Sequence, residues 1–296
     1  MQEVSNRKIV KIGIITKSTI GVHEEFLRGL MKFLKEEKKE VFLDTNAQMV
    51  LSGQSGLSHM ELLQTMDMVM VLGGDGTLLK TARSLGRKVT PVLGINFGSL
   101  GFLTELDPKH LFNGLKSIFA GNYNIDKRSL LRVTLYRNNK KFGTFLALNE
   151  VVVNQGAIAR LINLRLEVDQ RKMLTLDADG IILATPTGST GHSLSAGGPI
   201  VHPEILGMLI TPICPSSLTL RPIVIPMNKQ VKVILQTKRR DEKSNIGLTI
   251  DGQQCVSLEY GDEIRVRKSK RSLYLIRLKH RQYYRVLRKK LNWGGE

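Results

Sequence analysis

An apolar run, Met68-Val69-Met70-Val71-Leu72, feeds directly into Gly73-Gly74-Asp75-Gly76-Thr77, and a helix-like segment follows over 78–85. No other stretch restricts the fold as tightly. A strand without a polar side must be covered on both faces. Glycines placed immediately after it permit a sharp turn and let a ligand approach the backbone closely. A helix that starts at such a turn aims unpaired N–H groups outward, and this favours anions. The one carboxylate, Asp75, would repel a phosphate. It therefore implies a second role, either holding a metal or taking a proton from an attacking hydroxyl.

The segments around this turn alternate in type. Residues 8–16 read as a buried strand, and 22–37 as a helix with Phe26, Leu30, Phe33 and Leu34 on its apolar stripe. Residues 41–43 form a short strand and 44–60 a polar loop. Residues 91–95 are another buried strand running into a second glycine-punctuated turn, Asn96-Phe97-Gly98-Ser99-Leu100-Gly101, and a helix is expected from Pro108 to about Ala120. Alternating strands and helices imply a parallel sheet with ligands at the carboxyl ends of its strands. After Tyr123 the pattern changes. Residues 131–137 and 142–148 read as a hairpin across Asn138-Asn139-Lys140. Segments 161–168, 173–176, 180–185, 205–213, 223–226, 231–236, 246–250 and 263–267 are all strand-like, with one helical candidate at 190–197. This half is mostly antiparallel β, in two packed sheets. Residues 283–291 have helical spacing and are free to return to the first domain.

A formal charge of +18 over 296 residues attracts polyanions, nucleotides and nucleic acids alike. Its densest cluster, 265–290 with Tyr274, Tyr283 and Tyr284 interleaved, reads either as an RNA-binding stripe or as strands and a closing helix. The two cysteines show no metal-ligand or redox spacing, no apolar run is long enough to span a bilayer, and the amino terminus lacks a signal-peptide core. A reduced cytoplasmic setting is expected. Other anion-loop motifs fail. There is no Gly-Lys pair for a Walker A loop, and Leu79 stands where the dinucleotide fingerprint needs its third glycine. No histidine pair has zinc spacing, and no Gly-x-Ser-x-Gly elbow occurs.

A second constellation runs from Asp177-Ala178-Asp179-Gly180 through a short strand into Thr185-Pro186-Thr187-Gly188-Ser189-Thr190-Gly191-His192-Ser193-Leu194-Ser195. Core packing does not account for so many hydroxyls. The bland reading is a capped helix start with turn serines. A third element, Asn149-Glu150, combines an amide and a carboxylate suited to base edges and ribose hydroxyls.

Taken together, these stretches resemble an NAD kinase. Asp251-Gly252-Gln253, Ser195-Ala196-Gly197-Gly198-Pro199-Ile200 and the tail Leu287-Arg288-Lys289-Lys290-Leu291-Asn292-Trp293 match as well, so the resemblance covers residues 9–293. It implies a Rossmann-like α/β domain at 1–124 and 278–296, and a β-rich NAD-binding domain of two sheets at 125–277. The implied reaction carries the terminal phosphoryl group of ATP to the 2′-hydroxyl of the adenosine ribose of NAD. Asp75 would be the proton acceptor and, with Gly76, would touch the dinucleotide. Gly73, Gly74, Gly76 and Thr77 would face the donor. Asn149 and Glu150 would hold adenine and ribose, while Asp179, Thr187, Thr190, Gly191, His192, Ser193 and Ser195 hold the rest. Arg160, Asp177 and Gln253 stand at positions that contact ligand in some relatives. With no cluster of carboxylates for a metal cage, Mg²⁺ is expected to arrive on the triphosphate. A homodimer or homotetramer is implied, one subunit completing its neighbour's site, with no membrane and no specific nucleic acid as partner. Two departures bear on local contacts: Gly191-His192 replaces the family's usual Ala-Tyr, and Ser216 replaces a histidine after Cys214-Pro215. Two rival readings stay open. One is a lipid kinase of the diacylglycerol or sphingosine type, which shares the Gly-Gly-Asp-Gly turn. The other is a non-enzymatic nucleic-acid binder.

Overall fold

Strands β1 (Lys11–Thr16), β2 (Glu40–Leu43), β3 (Met68–Leu72) and β4 (Pro91–Ile95) pair in parallel in the order β2-β1-β3-β4. Every residue of β3 and β4 is buried, as their unbroken apolar runs require when both faces of a parallel sheet are covered. The structure is a computed structural model describing residues 8–17, 24–51, 55–98, 101–156, 161–236, 246–279 and 283–293. It divides into one unit of Met1–Lys127 with Ser272–Glu296 and a second of Arg128–Arg271.

In the first unit, helix α1 (Glu24–Glu36) buries Leu27, Leu30 and Leu34, with Glu24 and Glu25 in its first turn and Lys35 in its last, where each suits the helix dipole. Those leucines share a core with Ile12, Ile14, Met68, Met70, Leu72, Leu93 and Ile95 of the sheet. The expected loop at 44–60 is corrected. Asp44 caps α2 (Thr45–Val50) by accepting the Ala47 N–H at 2.8 Å. Ser58 and Glu61 then form a reciprocal capping box that starts α3 (His59–Thr65). The polar residues that resemble a loop are the helix caps. Helix α4 (Asp75–Arg83) follows β3 directly. Helix α5 (Leu111–Phe119) begins three residues later than Pro108, because the Asp107 carboxylate accepts the His110 N–H and closes a turn first.

Strand β5 (Tyr123–Arg137) carries the chain into the second unit. It turns back through Asn138 and Asn139, both at positive φ, into β6 (Lys140–Ala147), which is the geometry of a tight two-residue hairpin. Then come β7 (Glu150–Gln155), β8 (Ile162–Val168), β9 (Arg171–Ala178) and β10 (Gly180–Ala184). After β10 a 3-10 turn (Thr187–Thr190) and the short helix α6 (His192–Ser195) replace the continuous helix expected at 190–197. The two are broken apart at Gly191, whose φ of −97° and ψ of −135° leave helical space. The remaining strands are β11 (Gly207–Ile213), β12 (Ile223–Pro226), β13 (Val231–Gln236), β14 (Ile246–Ile250), β15 (Gln254–Leu258) and β16 (Glu263–Leu278).

One antiparallel sheet of this unit has the order β12-β11-β10-β7-β14-β15. In the other, β13 pairs with β8 and with the first part of β16, and β8 pairs with β9. Their facing sides meet in one apolar core: Ile181, Leu183, Val151, Val153 and Leu248 from the first, Leu164, Leu166, Val231, Val233 and Val266 from the second. The other face of β10, Ile182 and Ala184, packs with Val152, Leu209 and Val201, so the chain beyond α6 folds back over the sheet. Two sheets with a shared core are thus the fold of this unit, and the other unit is α/β, as the sequence implied. Sequence periodicity misses β15, an edge strand that is exposed except at Leu258 and partly Val256. The basic cluster after Arg265 is the continuation of β16 to Leu278, followed by α7 (Tyr283–Leu291) in the first unit.

Candidate active site

In the first unit, Gly74 is the N-cap of α4 and Asp75 its first residue. The acid therefore lies at the positive end of the helix dipole. Gly73 is buried and donates its N–H to Ile95 O at 2.8 Å, which ties the turn to the neighbouring strand. Thr77 is buried, its N–H reaching Gly74 O at 3.0 Å, while Gly76 is exposed. The half-buried Asp75 carboxylate accepts the Phe102 N–H at 2.9 Å through Oδ2 and the Leu103 N–H at 3.2 Å through Oδ1. The Gly101 backbone lies against the same carboxylate, and a Cβ there would collide with it. Two amides thus aim the acid from one side, and the open flank has the lone pairs to accept a proton. Leu100 and Ser99 of this second turn lie outside the described residues.

In the second unit the carboxyl end of β10 meets the start of β7: Ala184 is paired with Glu150. Asp251, buried in the turn after β14, accepts the N–H groups of Leu148 (3.0 Å), Asn149 (2.8 Å) and Glu150 (3.1 Å), fixing the Asn-Glu pair from beneath. The Gly188 backbone lies on the Asn149 backbone with no room for a Cβ. A Cβ built on Gly191 would be 3.1 Å from Glu150 Oε2 and 3.7 Å from Asn149 Nδ2, so the loop and the pair face each other. Glu150 Oε2 is buried without a hydrogen-bond partner among the described residues. Burial, with the Asp251 carboxylate beside it, pushes the Glu150 carboxyl up to about 7. Such a group, about half protonated near pH 7, donates a hydrogen bond in its protonated form where an ionised carboxylate only accepts.

The hydroxyls of the loop divide into two sets. Thr185 donates to Leu148 O at 2.6 Å, Ser189 to Pro186 O at 2.7 Å, and the buried Ser193 shares a 2.9 Å bond with Thr211. Thr187 accepts from the buried Arg128 at 3.2 Å. These brace the loop. Thr190 and Gly191 are half-buried and His192 and Ser195 exposed, so they form its open side. Gln253 is exposed in the turn that carries Asp251, at the Glu150 end. Asp177 and Asp179 are placed elsewhere. Five residues of β10 separate Asp179 from the loop, roughly 17 Å at about 3.4 Å per residue. Asp179 is exposed there, and Asp177 accepts from Asn163 Nδ2 at 2.8 Å. Arg160 lies outside the described residues. Sequence reasoning assigns no role to Asp251, although its Asp-Gly-Gln stretch stands out. It does not single out Arg128 or Arg277, which nothing in their spacing distinguishes.

The family model described as the ATP-NAD kinase N-terminal domain matches residues 14–123, and that of the ATP-NAD kinase C-terminal domain matches residues 148–278. An NAD kinase of Geobacter sulfurreducens is 41% identical over 288 residues, covering 96% of this chain and 99% of the relative. Among solved structures, yeast NADH kinase complexed with NADH superposes with a TM-score of 0.87 at 27% identity, over 98% of this chain and 89% of that one. An NAD kinase from Archaeoglobus fulgidus in complex with ATP gives 0.73 at 27% identity, over 96% and 99%. The lipid-kinase and nucleic-acid readings find no support in these matches. Among the described residues no helix is long and apolar enough to cross a membrane.

Proposed function

The chain belongs to the NAD kinase family, and from that premise we propose that it phosphorylates the 2′-hydroxyl of the adenosine ribose of NAD with ATP, giving NADP. The likeness along 96% of the chain to a Geobacter sulfurreducens NAD kinase carries this reading. A ribose hydroxyl is a weak nucleophile near neutral pH and needs a base as the phosphoryl group arrives in line. Asp75 is that base. Gly73, Gly74, Gly76 and Thr77 face the donor phosphates, whose charge the helix N-terminus stabilises. Asn149 and Glu150 hold adenine and ribose, Glu150 through its proton. Thr190, Gly191, His192 and Ser195 take the rest of the dinucleotide, with Thr187 and Ser193 supporting them and Gln253 at the margin; Arg160 is assigned to the ligand on the family resemblance alone. Among the described residues no three His, Cys, Asp or Glu side chains gather to hold a metal. Mg²⁺ is therefore assigned to the triphosphate, where it neutralises charge on the phosphate oxygens. The setting is the cytoplasm. Incubating the pure protein with NAD, ATP and Mg²⁺ tests the reading: NADP and ADP should appear together. ATP consumption without NADP, or preferential phosphorylation of a diacylglycerol or sphingoid base, would refute it.

Asp177 and Asp179, remote from Glu150 along β10, are assigned to the ligand of a second copy, in a homodimer or homotetramer. The edge strand β12 exposes Ile223 and Val224, and Leu206 beside it is 62% exposed. An apolar sheet edge of this kind invites pairing with another chain. Val224→Lys is expected to shift the particle toward monomer in light scattering and to weaken NAD binding. A wild-type monomer with full turnover would overturn this assignment.

A further inference from the structure

We propose that Arg277 is a positioning residue for phosphoryl transfer: its guanidinium fixes the turn whose amides hold the Asp75 carboxylate. The inference rests on Asp75 being the base. Arg277 is almost fully buried near the end of β16. Its Nη2 donates to Phe102 O at 3.0 Å, and its Nη1 donates to Leu103 O at 3.1 Å and Thr104 O at 3.3 Å. The Phe102 carbonyl and the Leu103 N–H belong to the same peptide plane. One end of that plane meets the guanidinium and the other meets Asp75 Oδ1. The carbonyls of the turn are thus drawn to one side, and the amides of Phe102 and Leu103 are presented to the acid on the other. The Gly101 N–H, donated to Thr104 Oγ1 at 2.8 Å, closes the turn on itself.

The guanidinium is in turn fixed by two acids, Glu105 Oε2 and Asp126 Oδ2, each at 3.1 Å. Glu105 Oε1 also accepts the Leu278 N–H at 3.0 Å. Only a planar fork with several fixed donors reaches three consecutive carbonyls and two carboxylates at once; a lysine ammonium offers a single nitrogen. The competing account is a buried ion pair that serves folding alone. The two accounts differ in what they predict for rate, because a displacement of the order of 1 Å in a reacting group costs about a hundredfold.

Arg277→Lys keeps the charge and loses the fork. It is expected to lower kcat roughly ten- to a hundredfold, with KM for NAD and ATP changed less than about twofold. Glu105→Gln, which takes away the charge of one acid beside Arg277 while leaving an oxygen to accept from it, is expected to lower the melting temperature. The deciding measurement is a double-mutant cycle with Asp75→Asn. If Arg277 acts through Asp75, adding Arg277→Lys to the Asp75→Asn enzyme changes the residual kcat by less than about twofold. An equal fold-loss in both backgrounds, or wild-type kcat in folded Arg277→Lys, overturns the inference. Should Arg277→Lys not fold, Arg277→Gln is read in the same cycle. Failure of the base itself is seen separately, as near wild-type turnover in Asp75→Asn alone.

Discussion

Asp75→Asn is expected to lower kcat by about a hundred- to ten-thousandfold, ~3–5 kcal/mol of barrier, and to leave NAD affinity within a few-fold of wild type. The substitution is nearly isosteric. Its amide oxygen can still accept one of the N–H groups of Phe102 and Leu103, so the turn at Gly73-Gly74 and helix α4 keep their places. What is lost is the capacity to take a proton, together with one amide contact, because an NH₂ group cannot accept. Steady-state turnover followed by an NADP-specific dehydrogenase gives kcat, and calorimetric titration gives NAD affinity. Near wild-type turnover would mean that the proton goes elsewhere.

Glu150→Gln is expected to stabilise the protein at alkaline pH. The folded chain holds the Glu150 proton up to about pH 7, whereas an ordinary glutamate releases it near 4.5. Between these values the folded state binds more protons than the unfolded one, so stability falls as pH rises through the window and then levels off. The gap corresponds to roughly 3 kcal/mol at most, a cost of ionising a buried carboxyl beside Asp251. A neutral glutamine does not ionise and escapes that cost. Urea unfolding at pH 8 is expected to favour Glu150→Gln by up to roughly 3 kcal/mol, and at pH 4.5 the two proteins should nearly coincide. Equal stability at both pH values would show that Glu150 titrates as an exposed acid does.

Much of this molecule is legible from its residues because the strongest patterns admit one reading. A run such as 68–72, with no polar position, has no solvent face to offer, and the parallel sheet follows. Helices α2 and α3 escape such reading for a local reason: each is about two turns or shorter and is announced by its cap more than by an apolar stripe. The Ser58-x-x-Glu61 box is present in the sequence, but polar residues of that kind suit a loop equally well. The long hydroxyl stretch is visibly unusual, yet spacing cannot tell Ser193, turned inward to Thr211, from Ser195 on the open side. Asp179 stands six residues before Thr185 in sequence, and an extended strand turns that closeness into distance. Couplings between remote residues are out of reach altogether. Asp251 meets the amide of Leu148 across 103 residues, and Arg277 meets the Phe102 carbonyl across 175. Only the closed fold brings such partners together.

The proposed reaction turns on the Asp75 carboxylate receiving the proton of the adenosine 2′-hydroxyl. A crystal structure of the protein with NAD bound tests this most directly. One Asp75 carboxylate oxygen should lie about 2.6–3.2 Å from that hydroxyl, on the flank not occupied by the Phe102 and Leu103 amides. A bound dinucleotide whose 2′-hydroxyl lies out of hydrogen-bond reach of Asp75, directly and through a single water, would contradict it.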